Sequence, residues 1–176
     1  KFRNYLRNLV VPEIDSNGSK IIVNFNDDKQ EKLDFVQIKD LRLGDIKSVK
    51  IIGSPHIITF PKYINPKLAY LTGYLYGDGG FKDIRRSNLI SGVYEYKMIV
   101  GDEFRVQIEQ VIQPLFFRIF NLNTKIRLER IAKGERLYYL NPTCKLVYVF
   151  FSRVMNFPEG PKKALKIPSL LKYCPK

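Results

Sequence analysis

A chain of 176 residues has room for one good hydrophobic core, because single domains usually run to about 100–200 residues. Its 45% hydrophobic and 13% aromatic content argues against a disordered chain, and no apolar run approaches the ~20 residues of a membrane span, so a soluble intracellular protein is expected. The formal charge of +13 points to a polyanionic partner and is uneven, with 12 basic against 9 acidic residues up to residue 79 and 18 against 8 beyond it. The basic surface is therefore expected in the C-terminal half. Charge alone leaves open mere solubility, or attraction to an acidic membrane or protein, so nucleic acid needs support from motifs. Cys144 and Cys174 are far apart, without a CxxC or histidine partner pattern, and read as free thiols. His56, the only histidine, has no partner at ligand or triad spacing and reads as structural.

The first 60 or so residues read as short strands and turns. Residues 19–25 (SKIIVNF) and 32–38 (KLDFVQI) are β-rich runs on either side of the turn signal Asn26-Asp27-Asp28. Two more runs, 46–52 and 56–60, flank Gly53-Ser54-Pro55. Residues 1–62 are thus expected to form a small β-rich N-terminal module. Within it, Asp40-Leu41-Arg42-Leu43-Gly44-Asp45 is similar to a DLxxGD stretch of intein self-splicing domains, although a β-turn on Gly44 and Asp45 is the simpler account of it.

A different pattern starts at Asn65-Pro66. Asn is a strong N-cap, and Pro suits the first helical position, where its missing N–H costs nothing, so a helix is predicted from there to about residue 77. Residues 81–84 and 93–100 read as a hairpin across a polar loop with Arg85, Arg86, Ser87 and Asn88. From 102 to 120, Phe104, Ile108, Val111, Ile112, Leu115, Phe116 and Ile119 recur at helical spacing and predict an amphipathic helix bent near Pro114. Residues 125–132 and 136–140 predict a second hairpin, in which Lys125, Arg127 and Glu129 alternate with Ile126 and Leu128. Asn141-Pro142 repeats the helix-start signal and predicts a third helix to about residue 155. The order is αββαββα, an α+β fold over residues 63–176.

The first helix, Leu71-Thr72-Gly73-Tyr74-Leu75-Tyr76-Gly77-Asp78-Gly79, carries the chemistry. A glycine inside a helix costs roughly 1 kcal/mol relative to alanine, so Gly73 needs a compensating reason. Ala69, Gly73 and Gly77, at i, i+4 and i+8, make a smooth stripe on which another helix can pack closely, while Leu68, Leu71 and Leu75 face a core. Asp78 ends the helix at the negative pole of its dipole, where a carboxylate is unfavourable by roughly 0.3–1 kcal/mol and a bound cation reverses the penalty. Two such helices packed on their stripes would bring two carboxylates together, a donor set suited to Mg²⁺ or another divalent cation. A Gly-Asp-Gly turn also arises from backbone conformation alone.

LTGYLYGDG resembles the LAGLIDADG motif, and αββαββα is the repeat of that homing endonuclease family. The resemblance runs from about residue 66 to 168. It includes Gly160-Pro161-Lys162-Lys163 and Lys166-Ile167-Pro168, which look like the family's GxK…IP segment. It implies that Asp78 holds the catalytic metal, with the Gly77 carbonyl as a further donor, and that Lys162 or Lys163 assists near the scissile phosphate. Tyr76 stands where the motif name has its first acid. The resemblance further implies a four-stranded saddle along the major groove of double-stranded DNA, with Lys82, Arg85, Arg86, Lys97, Lys125, Arg127, Arg130 and Arg136 as candidate contacts to phosphates and bases. Each of these is otherwise a solvated surface charge. One copy of the motif implies a homodimer, or a second LAGLIDADG half beyond this chain.

The expected function is site-specific, metal-dependent hydrolysis of double-stranded DNA. Two alternatives stay open: a DNA- or RNA-binding regulator or intron maturase that does not cut, or the endonuclease part of an intein.

Overall fold

The computed structural model describes residues 20–34, 45–81, 98–130 and 136–157, and among these it is an α+β fold with two four-stranded antiparallel sheets. The first sheet contains β1 (Lys20–Phe25), β2 (Gln30–Asp34), β3 (Ile46–Ile51) and β4 (Ile57–Ile58), in the order β2-β1-β3-β4. Its hairpin turns where the Asn26-Asp27-Asp28 signal expects. Phe25 N–H donates to the Lys29 carbonyl at 2.8 Å, and Asp28 takes a left-handed backbone, φ 63°, which Asp tolerates better than most residues. Ile21, Val23, Val49 and Ile58 share one buried face through their register, while Asn24 bridges Gln30 and Ser48 by side-chain hydrogen bonds of 2.7 and 2.9 Å.

β4 is shorter than its sequence run. At Thr59 the chain leaves the sheet to bond a helix end: Thr59 N–H donates to the Phe120 carbonyl at 3.1 Å, and its hydroxyl to the Ile119 carbonyl at 3.2 Å. These are carbonyls that the helix cannot satisfy internally. Asn121, with φ 54°, closes the same helix end, its amide donating to the Phe117 carbonyl and its side chain to the Ile57 carbonyl.

The second sheet joins β5 (Gly79–Phe81), β6 (Met98–Asp102), β7 (Ile126–Arg130) and β8 (Arg136–Leu140) in the order β5-β6-β8-β7. Both expected hairpins pair antiparallel at their described ends. Helix α1 (Pro66–Asp78) lies against β5, β6 and the second helix. That helix, α2, is α-helical over Arg105–Gln107, π-helical over Ile108–Ile112 and α-helical again over Gln113–Phe120. The wide turn falls directly before Pro114. A proline inside a helix disturbs the bonding of the preceding turn, and the π-helical stretch lies beside the position where the sequence predicts a bend.

Helix α2 starts at Arg105 rather than Asp102, because Asp102 still pairs with Tyr138 in the sheet. Phe104, placed by spacing on the apolar face, therefore precedes the helix and is 71% exposed. The third helix corrects a second expectation. It begins at Lys145, not at Asn141-Pro142, with Lys145–Val149 α-helical and Phe150–Val154 π-helical. Leu140 is still held in the sheet between Val100 and Ile126, and the chain needs Asn141–Cys144 to cross from the sheet to the helix layer. The Asn141 carboxamide oxygen is buried without a hydrogen-bond partner instead of capping a helix.

This third helix, α3, is buried along Leu146–Phe151, consistent with its apolar sequence on all sides. Phe150 meets Phe60 and Phe120 at ring-centroid distances of 6.0 and 5.2 Å, and Phe81 meets Tyr148 and Phe157 at 5.2 and 4.3 Å. Offset and edge-on ring contacts of this kind add about 0.5–1.5 kcal/mol each beyond the area they bury.

Candidate functional site

Helix α1 begins as its sequence predicts. The Asn65 side chain accepts the Leu68 N–H at 2.9 Å, and Pro66 occupies the first turn. Leu68, Leu71 and Leu75 are fully buried, and Thr72 returns its hydroxyl to the Leu68 carbonyl at 2.7 Å. On the other side Gly73 and Gly77 are exposed, and a Cβ added at either meets nothing within 4 Å, while Ala69 is half-buried. The three small residues thus form the open stripe that their spacing predicts.

Asp78 is the last residue of α1, exposed, and the chain passes into β5 without a loop. Gly79 makes that junction possible. Its N–H donates to the Leu75 carbonyl, and a Cβ on it would lie 2.7 Å from that oxygen and 2.8 Å from Leu75 Cα. Only glycine lets the strand leave so close to the helix, which fixes Asp78 at the seam between helix and sheet.

Asp78 opens onto a cavity of about 350 Å³ lined also by Ile99, Gly101, Asp102, Glu103, Phe104 and Leu137. The three carboxylates around it come from two separate stretches of chain, and sequence reading identified only Asp78. The sequence places Asp102 and Glu103 at the start of the helix predicted over 102–120 and gives them no part in the site. In the structure Asp102 Oδ1 accepts the Phe104 N–H at 2.8 Å, while Oδ2 accepts the hydroxyl of Tyr74 from α1. Burial first, then the hydrogen bond and charge of Asp102, with Asp78 adding its own charge, push the Tyr74 phenol well above its ordinary pKa. Tyr70 stacks on Tyr74 with ring centroids 6.5 Å apart and accepts a hydrogen bond from Gln107 Nε2 at 3.0 Å. Tyr76 is a packing residue, edge-on to Phe157 at 4.6 Å, and burial raises its pKa.

The sheet register divides the basic candidates. Phe81, Met98, Val100 and Leu140 are buried towards the helices. Positions of the opposite parity, Ile99, Gly101, Leu137, Tyr139, Arg127 and Lys125, belong to the outer face, where Lys125 and Arg127 are exposed. The expected alternation holds at Lys125, Ile126 and Arg127 and fades at Leu128, which is 50% exposed because packing thins from Leu140 through Tyr138 towards the hairpin end. Arg130 and Arg136 are opposed in the β7–β8 ladder, at positions with the parity of Leu128 rather than Arg127. Lys82, Arg85, Arg86, Lys97, Lys162 and Lys163 lie outside the described residues.

The chain is 33% identical over 89 residues to the homing endonuclease I-DmoI of Desulfurococcus mucosus. It is a homologue of a homing endonuclease. The likeness to LAGLIDADG homing endonucleases, read from Leu71–Gly79 and from the element order, is supported by this relative. The alignment covers 50% of this chain and 44% of the relative, so the chain spans less than half the length of the homologue it matches. No family model matches the chain.

Carboxylate oxygens are the donor type that a hard divalent cation takes. Asp78 offers an exposed carboxylate at the negative end of a helix, and Glu103 lines the same space. Among the described residues no three acidic, histidine or cysteine side chains form a group that could hold a metal ion.

Proposed function

We propose that this chain is a site-specific double-stranded DNA endonuclease of the homing type, or one half of one, dependent on Mg²⁺ or another divalent cation. The observation that carries the proposal is the exposed Asp78 at the end of the glycine-striped helix, next to the outer sheet face with its exposed Lys125 and Arg127, in a homologue of a homing endonuclease. Residues 63–176 would carry this activity, with residues 1–62 as an appended β-rich module.

DNA would lie along the outer face. Lys125 and Arg127, with Lys82, Arg85, Arg86 and Lys97 on the hairpins and loops, would supply phosphate neutralisation and base contacts, while Arg130 and Arg136, at positions of the other parity, would not face the duplex from the sheet itself. Asp78, and the Gly77 carbonyl beside it, would hold the cation, which supplies activation of the attacking water and neutralisation of charge at the phosphate. Lys162 or Lys163 would stand near the scissile phosphate. The second strand needs a second Asp78-like carboxylate, and the open stripe Ala69-Gly73-Gly77 suits a two-fold contact with another copy, or with a second half, at that point.

The test is to incubate the protein with a library of randomised duplexes, with and without Mg²⁺, and to sequence both the bound and the cut molecules. Discrete Mg²⁺-dependent double-strand breaks at an enriched sequence are expected. Enrichment without breaks would make the protein a non-cleaving binder, and no enrichment would remove DNA from the account.

A further inference from the structure

The outer face of the second sheet is not uniform. At the start of β7, an edge strand, it is basic, with Lys125 and Arg127 exposed. Across β6 and β8 it is uncharged: Ile99, Gly101, Leu137 and Tyr139 share the parity of Arg127, and Gly101, Tyr139 and Arg127 stand in one row of the ladder. Gly101 leaves a gap in that row, and Leu137 covers it, since a Cβ on Gly101 would lie 3.1 Å from Leu137 Cδ1 and 3.3 Å from its Cγ. The Leu137 side chain therefore leans from β8 across β6 instead of standing straight off the sheet. Ile99 and Leu137 lie outside the hydrophobic core, which these strands enter through Met98, Val100 and Leu140. Both are half-buried, and both line the cavity beside Asp78, where they give it an aliphatic floor.

We propose that Ile99 and Leu137 are specificity-determining residues that receive the C5-methyl groups of thymines from the major groove of the duplex. This rests on the reading of the outer sheet face as the surface that meets DNA. Charge decides which part of the duplex comes to these side chains. Asp102 and Glu103 border the same floor and repel a phosphate there, whereas Lys125 and Arg127 offer partners for phosphate at the β7 edge. What is left for the floor is the neutral edge of the bases. The thymine methyl is the apolar group on that edge, and an apolar side chain is its partner. Ile99 and Leu137 neither donate nor accept hydrogen bonds, so they separate thymine from the other bases by contact and shape alone. In this arrangement β6 and β8 read T·A pairs while β7 holds the backbone.

The experiment takes a duplex enriched from the randomised library and replaces its thymines, one at a time, by deoxyuridine, which removes the methyl and keeps every hydrogen-bonding group. Affinity of the whole protein is measured by anisotropy at fixed salt. Wild type is expected to lose about fourfold at one or more thymines, the fold-change that one buried CH₂ group corresponds to. At such a position Leu137→Ala or Ile99→Ala should abolish the difference between thymine and deoxyuridine, while Lys125→Ala, which loosens the hold on phosphate, should leave it intact. Each comparison is made within one protein, so a general loss of affinity in a variant cancels. A methyl effect that persists in one alanine variant removes that residue from the proposal, and one that persists in both overturns it. Enriched duplexes without a fixed thymine, or a wild type indifferent to every replacement, overturn the role of Ile99 and Leu137 and leave the DNA reading standing. A wild type that enriches no duplex overturns the DNA reading, and this proposal with it.

Discussion

Two glycines of the same motif, six residues apart, are glycine for opposite reasons. Gly79 is buried where helix meets strand, and a Cβ there would lie 2.7 Å from the Leu75 carbonyl oxygen; Gly73 is exposed, and a Cβ there would meet nothing within 4 Å. The fold of the single chain requires the first and gives no reason for the second. A helix interior that accepts the cost of glycine without using the space it creates points to a surface covered by something else, which under the proposed function is a matching helix.

That contrast is broken most sharply at Gly79. Gly79→Ala forces either the helix end or the strand to move and is expected to destabilise the protein by about 3 kcal/mol or more, since the clash is with backbone rather than with a flexible side chain. Thermal unfolding measures it, and a loss below about 0.5 kcal/mol, within the range of ordinary surface changes, would show that the junction relaxes freely. At Gly73 the dissociation should run the other way. Gly73→Leu is expected to leave the monomer folded but to overpack a helix–helix contact, converting a dimer seen by light scattering into monomer and abolishing double-strand breaks. A wild-type monomer that still makes such breaks would contradict the two-copy reading. Gly73→Ala in the monomeric state should raise stability by up to about 1 kcal/mol, the intrinsic helix preference of alanine, and a destabilisation would mean that the stripe is not open.

The smallest effects belong to the outer sheet face. Lys125→Ala and Arg127→Ala are each expected to weaken duplex binding and to make the slope of log K against log salt shallower by about 1, as when one DNA phosphate is no longer neutralised by the protein. Anisotropy titrations at several salt concentrations would show it. An unchanged slope in both variants would place the DNA elsewhere on the surface.

What could be read from sequence, and what could not, follows the range of the interactions involved. Asn65-Pro66 opened a helix as expected because capping is local: the Asn65 side chain needs only the N–H three residues on. The identical pair Asn141-Pro142 failed for a non-local reason, since Leu140 is held in the sheet by Val100 and Ile126 and the chain must first cross to the helix layer. Hairpins, turn residues and the glycine stripe were legible because their periods are short. Asp102 was not legible as part of the site. Its bond with Tyr74 spans 28 residues, and Asp-Glu at a helix start looks the same whether or not a cavity adjoins it. The close approach at Gly79 was equally hidden, because the glycine cluster alone reads as an ordinary helix end.

Under the proposed function, the role of Asp78 lies in the chemistry of cutting and not in the fold or the grip on DNA. It is tested most directly by Asp78→Asn, compared with wild type on one enriched duplex, with binding measured in parallel with Mg²⁺-dependent cleavage. The substitution removes a cation-holding charge and leaves the basic face untouched, so cleavage is expected to fall by about a thousandfold or more, while affinity changes by less than about threefold. Cleavage at the wild-type rate by the Asn variant would contradict the account.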